Sequence, residues 1–436
     1  MAYQATFVIS TLVSLPFITR ALSPEAFGVL AALTAAPVIL AFTDLGIGSA
    51  LVSRLASARA RGDDEAARVA VGTALAAASI AGVLIASVGI VAALILPWGS
   101  ILGAGDLSSG EVDSAVLAAA LVTGVSVPGA LGQRILYGIH RGGRANRWMG
   151  GGIVLSASLG MVCSFTTAPL AVFVLAMLGA PALVGLLCLA WTLRRDPRLR
   201  PVWSSVSRAE FRTLRGASVW FFLIDLAAAI GYQTDVLVIA GVLGARDAGI
   251  YSVCMRVFGL VTASISPALI QLWPAFADAY MRGDASWIRS RLRGTILLGG
   301  VIGAVASMVL VLVGRPLIST WLTSDLVPPR PLMICCGLWT VYQLLSAPFF
   351  LLMNATNRVR VHAQLSVGVV VLNLPLSVWL AVELGLPGPV LGSLFATMLV
   401  TAVPGLIVTR RLFREPMFVG AATAQSTMAT KAPSSP

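Results

Sequence analysis

Lysine occurs once in these 436 residues, as Lys431, and charged residues of every kind make up only 11% of the chain, against roughly 25% in soluble globular domains. No glycine-rich loop precedes Lys431, so there is no Walker A phosphate cradle and the chain cannot consume ATP by that route. Histidine occurs twice, as His140 and His362, both expected in loops. The five cysteines (Cys163, Cys188, Cys254, Cys335, Cys336) lie inside apolar runs without CxxC spacing. Zinc sites, haem attachment and disulfide frameworks are thereby excluded, and no metal or other cofactor is expected.

What is abundant is apolar surface, at 58% of residues. A membrane span takes about 20 mostly apolar residues, so twelve spans use roughly 240 and leave no room for a large catalytic domain outside the bilayer. Runs between charged or Gly/Pro-rich breaks place spans near 3–19, 27–53, 70–96, 114–136, 148–165, 170–193, 217–243, 248–276, 295–314, 332–353, 363–383 and 389–409. Segments 54–69, 134–147, 194–216, 278–294, 354–362 and 410–436 hold 25 of the 30 basic residues. By the positive-inside rule these segments and both termini face the cytoplasm, as expected of a multi-pass protein of the inner cell membrane. The net charge of +12 is then a matter of topology and anionic lipid heads, and no continuous basic surface remains for nucleic acid. The first span opens almost at Met1 without a basic leader or small-residue cleavage site. It reads as a retained helix, the other reading being a start codon placed too far downstream. Beyond Arg414 the tail turns small, polar and proline-ended, a composition expected to be disordered.

A shift of 221 residues aligns the chain with itself twice. LSPEAFGVL at 22–30 meets LGARDAGIY at 243–251, pairing Gly28 with Gly249, and ARARGDDEAAR at 58–68 meets AYMRGDASWIR at 279–289, pairing Gly62-Asp63 with Gly283-Asp284. Each half holds six spans, an even number, so the copies run the same way through the membrane about an axis along its normal. The expected fold is all-α and polytopic: a six-helix lobe over 1–193, a cytoplasmic connector over 194–216 with a short interfacial helix, a second lobe over 217–409 and a tail over 410–436.

The stretches TRALSPEAFGVLAAL and FTDLGIGSALVSR in the first lobe, with TDVLVIAGVLGARDAGIYSVCMRV opening the second, resemble the Wzx-type flippases of lipid-linked oligosaccharides. These belong to the multidrug/oligosaccharidyl-lipid/polysaccharide exporter superfamily. Span count, lobe division and loop charge extend the resemblance from about Ser14 to Arg414, with sharp motif matches confined to the opening hairpin of each lobe. The resemblance implies a V-shaped fold, a central cavity lined by the first two helices of each lobe, and alternating access. It implies a lipid bilayer and a polyprenyl-pyrophosphate-linked oligosaccharide as partners, H+ or Na+ as a coupling ion, and polysaccharide polymerase machinery nearby. The alternative within the superfamily is an ion-coupled drug extruder. A polytopic polymerase or ligase fits less well, because the longest external segments, 97–113 and 315–331, contain no histidine.

Ionisable residues at membrane depth are costly and mark cavities or partners. Asp44 falls in the second span, Asp225 and Asp235 in the seventh and Arg256 in the eighth. At about 1.5 Å of rise per residue, Asp235 and Arg256 lie at equal depth, either as a permanent ion pair or as an ion- or substrate-binding set. Asp44, Asp225 and Asp235 are the candidates for cation coupling, with backbone bonding near a helix distortion as the other reading of Asp44. Arginine forks match phosphate oxygens, so Arg20, Arg54 and Arg256 are the candidates for a pyrophosphate. Headgroup snorkelling is the competing reading for the first two. Tyr232, Gln233 and Tyr251 could contact sugar or act as interhelical glue, the reading also given to Asn354, Asn373, Gln271 and Gln343.

Overall fold

The computed structural model describes residues 2–41, 47–201, 206, 210–211, 219–322, 324–356 and 358–412. Among the described residues there is no strand. The fold is carried by α1 (Ala2–Ala21), α2 (Pro24–Ala41), α3 (Ile47–Ala60), α4 (Asp64–Ile95), α5 (Ser109–Gly138), α6 (Gly142–Ser164) and α7 (Leu170–Arg195). The second half follows as α8 (Val219–Val242), α9 (Ala245–Ile270), α10 (Leu272–Met281), α11 (Ala285–Trp321), α12 (Arg330–Ala355), α13 (Val359–Leu384) and α14 (Gly388–Leu412).

Every span expected from the sequence falls on one of these helices or on a consecutive pair. The second is built from α2 and α3, and the eighth from α9 and α10. Among the described residues, seven helical segments are long and apolar enough to cross a membrane, with α9 and α10 together counted as one of them. Their outward faces are dressed for hydrocarbon: Ile80, Leu84, Val88 and Leu94 on α4, and Leu298, Val301, Val305 and Leu312 on α11, are all exposed. Only lipid solvates such a surface without cost.

The repeat is visible in local geometry. Gly62 and Gly283 both take a positive φ, 67° and 71°, and each is followed by an aspartate that caps the next helix. The Asp63 carboxylate accepts from the Ala66 amide at 2.9 Å at the start of α4, and Asp284 from the Trp287 amide at 3.0 Å at the start of α11. A turn that reverses the chain and a side chain that satisfies an orphan N–H are what a helix beginning at an aqueous boundary requires.

Within the first lobe α4 and α5 meet at Gly82 and Gly124, where a Cβ on Gly82 would lie 2.3 Å from the Gly124 carbonyl oxygen. Apolar side chains gain little by leaving lipid for one another, so close backbone approach of this kind carries much of the association. In α7 one turn is π-helical, Leu175–Gly179, and the Met177 carbonyl in it accepts from the Ser156 hydroxyl at 3.0 Å.

The buried core has the shape of a V. One cluster joins both lobes at the arginine-poor face, running from Leu30 and Phe173 in the first to Ile239, Phe258 and Met333 in the second. Towards the arginine-rich face it divides. Leu51, Leu55, Val71, Leu131 and Cys188 form a core belonging to the first lobe alone, while Phe276, Ile288, Leu292 and Leu352 form another in the second. Of the described residues of the connector, Leu199 and Phe211 pack with the core of the first lobe. Most of the interfacial helix expected near 204–216, and the tail beyond 412, lie outside the described residues.

One expectation is corrected. His362 is not in a loop but within α13, buried, with Nδ1 donating to Asn354 Oδ1 at 2.8 Å and its ring stacked on Phe350 at 4.6 Å. The segment 354–362 that suggested a loop is largely helical, since α12 runs to Ala355 and α13 begins at Val359.

The Trp287 amide, with the Ser286 hydroxyl, holds the Asp284 carboxyl below the ordinary carboxylate range. A depressed value means that its contribution is present above the unfolded value and is lost as pH falls through the folded one. Asp284→Ala should therefore cost about 1 kcal/mol of stability at neutral pH. The difference from wild type, followed by thermal unfolding in detergent, should disappear on strong acidification.

Candidate functional site

At the arginine-poor face α2 crosses α9 so closely that a Cβ on Gly28 would lie 1.5 Å from the Ala245 carbonyl oxygen. Its repeat mate Gly249 faces back, 3.3 Å from the Gly28 nitrogen for a Cβ placed there. The Ala245 amide donates to the Gly103 carbonyl at 3.0 Å, and Arg20, exposed at the end of α1, reaches the Trp321 carbonyl of α11 with Nη2 at 3.4 Å. These contacts shut the cleft on that side. From the seal the helices diverge and leave a cavity of about 460 Å³ between α1, α2, α8 and α9. Thr11, Thr34, Gln233, Tyr251, Ser252, Met255 and Arg256 are among its lining. A second space of about 400 Å³ shares Met255 and Gly259 with it and continues along α9 to Leu269.

Arg256 and Asp235 are not paired with each other. Asp235 is buried and accepts from the Tyr251 hydroxyl at 3.1 Å, from Ser393 at 2.9 Å and from Ser377 at 3.1 Å. Asn373 Oδ1 lies 3.0 Å from the Ser377 hydroxyl and 3.1 Å from that of Ser393, and the Pro389 carbonyl is 3.3 Å from Ser377. The two carboxylate oxygens, an amide oxygen and a carbonyl oxygen thus converge on three hydroxyl protons. Every buried polar side-chain atom in this cluster has a hydrogen-bond partner. Arg256 faces the central cavity and, among the described residues, has no hydrogen-bond or ion-pair partner. A guanidinium so placed has N–H donors that can meet an anion.

The remaining candidates are dispersed. Arg54, on α3, forms a two-pronged ion pair with Glu210 of the connector, at 2.6 and 3.1 Å. Gln233 lines the cavity and Tyr251 lies between cavity and Asp235. Asp225 and Tyr232 are on α8, but their side chains are outside the described set, and Asp44 lies outside the described residues altogether. Ser377 and Ser393 were not singled out as partners of Asp235, nor Asn373 as a second acceptor from them. Their signal was present as polar residues at helical spacing: His362, Ser366, Asn373 and Ser377 along α13, and Ser393, Thr397 and Thr401 along α14.

Twelve spans, two repeated lobes and a cleft open towards one face define a polytopic helical membrane protein. The fold matches that of a multidrug resistance MATE family transporter of the MOP superfamily, solved in its inward-facing conformation, at a TM-score of 0.77 over 95% of this chain and 96% of that one; at 17% identity the likeness is one of fold. Residues 2–280 match the family model for polysaccharide biosynthesis protein, and the chain belongs to that family. It is 25% identical to the membrane protein EpsK of Bacillus subtilis (strain 168) over 44% of this chain. It is 30% identical over 22% of its length to a protein of Salmonella typhimurium (strain LT2) named for O-antigen transport. The chain spans 39% and 22% of those relatives' own lengths. By family it is a polysaccharide biosynthesis protein, and by fold it is built as that membrane transporter is.

Two outcomes follow from the geometry. Gly28→Ala should prise the seal apart, so that spin labels at Asp106→Cys and Asp325→Cys, both exposed near the arginine-poor face, show a longer distance by double electron–electron resonance than in the parent. Removing a hydroxyl that satisfies a buried carboxylate should be costly. Ser393→Ala is expected to lose about 2 kcal/mol, and much less in an Asp235→Asn background, as a double-mutant cycle by chemical unfolding would register.

Proposed function

We propose that the protein moves a polyprenyl-pyrophosphate-linked oligosaccharide from the cytoplasmic to the outer leaflet by alternating access, supplying polysaccharide biosynthesis. The observation that carries this reading is the Arg256 guanidinium, without a partner among the described residues, in a cleft between the first two helices of both lobes. A half-buried cation facing the cleft attracts a diphosphate and repels the cationic compounds that a drug extruder would take. The apolar flanks suit a lipid tail left in the bilayer while the charged head enters. Family membership and the relative named for O-antigen transport support the same substrate class. In this scheme the arginine-rich face is cytoplasmic and the cleft is open to it. Gln233 and Tyr251 are placed to meet the head group beside Arg256. Cation occupancy at Asp235, whose bond to the cavity residue Tyr251 ties the two sites, biases the rocking of the lobes, with H+ or Na+ as the ion.

The test uses purified protein in liposomes with a fluorescent lipid-linked sugar. Wild type should accelerate its leaflet exchange. Arg256→Ala should weaken binding of undecaprenyl diphosphate by about 100-fold, the equivalent of about 2.7 kcal/mol. Arg256→Lys, which keeps charge but loses the planar fork, should fall between. Unchanged exchange in Arg256→Ala, or robust export of a cationic dye by wild type, would overturn the reading.

A further inference from the structure

Trp191, near the end of α7, carries two guanidiniums over its indole. The Arg144 Cζ, from α6, lies 5.7 Å from the ring centroid, and the Arg195 Cζ, one turn further along α7, lies 5.9 Å from it. Trp148 of α6 meets the same indole, tilted, at 6.1 Å, so two rings join the arginine-rich ends of α6 and α7. Arg147 adjoins Trp148 in the chain and Arg194 adjoins Arg195. All four arginines are exposed, and none has a carboxylate partner among the described residues. Asp196, the nearest acidic residue along the chain, forms an ion pair with none of them.

Each contact with an indole face is favourable by itself. Gathering two cations at one ring is not, because like charges that close repel and no acidic group among the described residues neutralises them. An anion removes the repulsion, and guanidinium forks match phosphate oxygens. The surroundings select the kind of phosphate. None of the four arginines lines the cleft. One and two turns before Trp191, on the same face of α7, stand Leu187 and Leu183, 49% and 52% exposed. On α6, Gly151 lies one turn beyond Trp148, and a Cβ there would meet nothing within 4 Å. Its neighbour Gly152 draws the two helices together, 3.3 Å from the Pro181 Cα for a Cβ placed there. An apolar strip thus runs from the indoles along α7 into the hydrocarbon, with charge only at its arginine-rich end. Cation, then indole, then hydrocarbon is the sequence of surroundings that a phospholipid needs from head group to acyl chain.

We propose that this face binds an anionic phospholipid of the leaflet at the arginine-rich side, its phosphodiester held by Arg144 and Arg195 and its acyl chains laid along Leu187 and Leu183. Arg147 and Arg194 are placed for a second phosphodiester, so a lipid with two binds more tightly than a lipid with one. The bound lipid ties α6 to α7 on the outside of the first lobe without entering the cleft. It is a resident part of that lobe and not cargo, and the site stands whatever the cleft carries.

The experiment titrates the delipidated full chain in detergent with cardiolipin, phosphatidylglycerol or phosphatidylcholine and counts bound lipid by native mass spectrometry. Affinity should fall in that order, with one tightly held cardiolipin per chain. Arg144→Gln with Arg195→Gln should weaken cardiolipin about thirtyfold, at about fivefold for each guanidinium beside an anionic head. Arg144→Lys with Arg195→Lys, which keeps the charge and loses the planar fork, should fall between. Arg291→Gln with Arg293→Gln, both exposed on α11, takes the same charge from the second lobe and should change the affinity by less than about twofold. Equal affinity for phosphatidylcholine, no loss in the first pair of variants, or an equal loss in the α11 pair would overturn the proposal. So would displacement of cardiolipin by an excess of glycerol phosphate, which would make the patch a site for soluble anions, or by an equal concentration of undecaprenyl diphosphate, which would make it a station for substrate.

Discussion

Helices in lipid gain little by hiding apolar side chains from one another, so two bundles of this size hold together only where their backbones come close. Here that place is the crossing of α2 and α9, where Gly28 lies against the Ala245 carbonyl and Gly249 returns the contact. A side chain of any size at Gly28 would hold the helices apart. Because the crossing lies at the arginine-poor ends, the one core shared by both lobes lies there too, and it divides into separate cores further along. The cleft is the space that two bundles joined at one end leave between them.

That geometry distributes the two intramembrane charges into different surroundings. Asp235 turns into its own lobe, where three hydroxyls replace the water it has lost. Arg256, about two turns beyond the opposite end of the hairpin, looks into the cleft and is left without a protein anion among the described residues. A pair made between them would have closed the electrostatics of the hairpin and left nothing for a ligand. Their separation leaves the guanidinium facing the cleft and the carboxylate enclosed by hydroxyls, with Tyr251 touching both environments.

Much of the fold was legible beforehand because a bilayer imposes a single length scale and a single charge rule. The twelve apolar runs each became a helix or a helix pair, and the 221-residue shift reappears as matched caps at Asp63 and Asp284 and as facing glycines at the lobe crossing. The site was legible in part. Depth along a helix can be counted, and it put Asp235 and Arg256 at one level. Rotation about the helix axis cannot be counted as reliably over a kinked span, and it is rotation that sends the two side chains to different surroundings. The polar stripe from His362 to Ser377 was written at helical spacing, yet the arginines at 358 and 360 suggested a longer loop there and obscured its first member.

From composition and order alone, the residues determine a many-span helical membrane protein, its internal duplication and the face on which its arginines gather, since each follows from water–hydrocarbon transfer and is local in the chain. Which polar groups meet depends on contacts between residues far apart in sequence: Asp235 with Ser377 and Ser393, Arg54 with Glu210, and Gly28 with Ala245. Those pairings are set by how helices rotate and pack in three dimensions. For that reason the tertiary structure alone decided that the carboxylate is enclosed and the guanidinium faces the cleft.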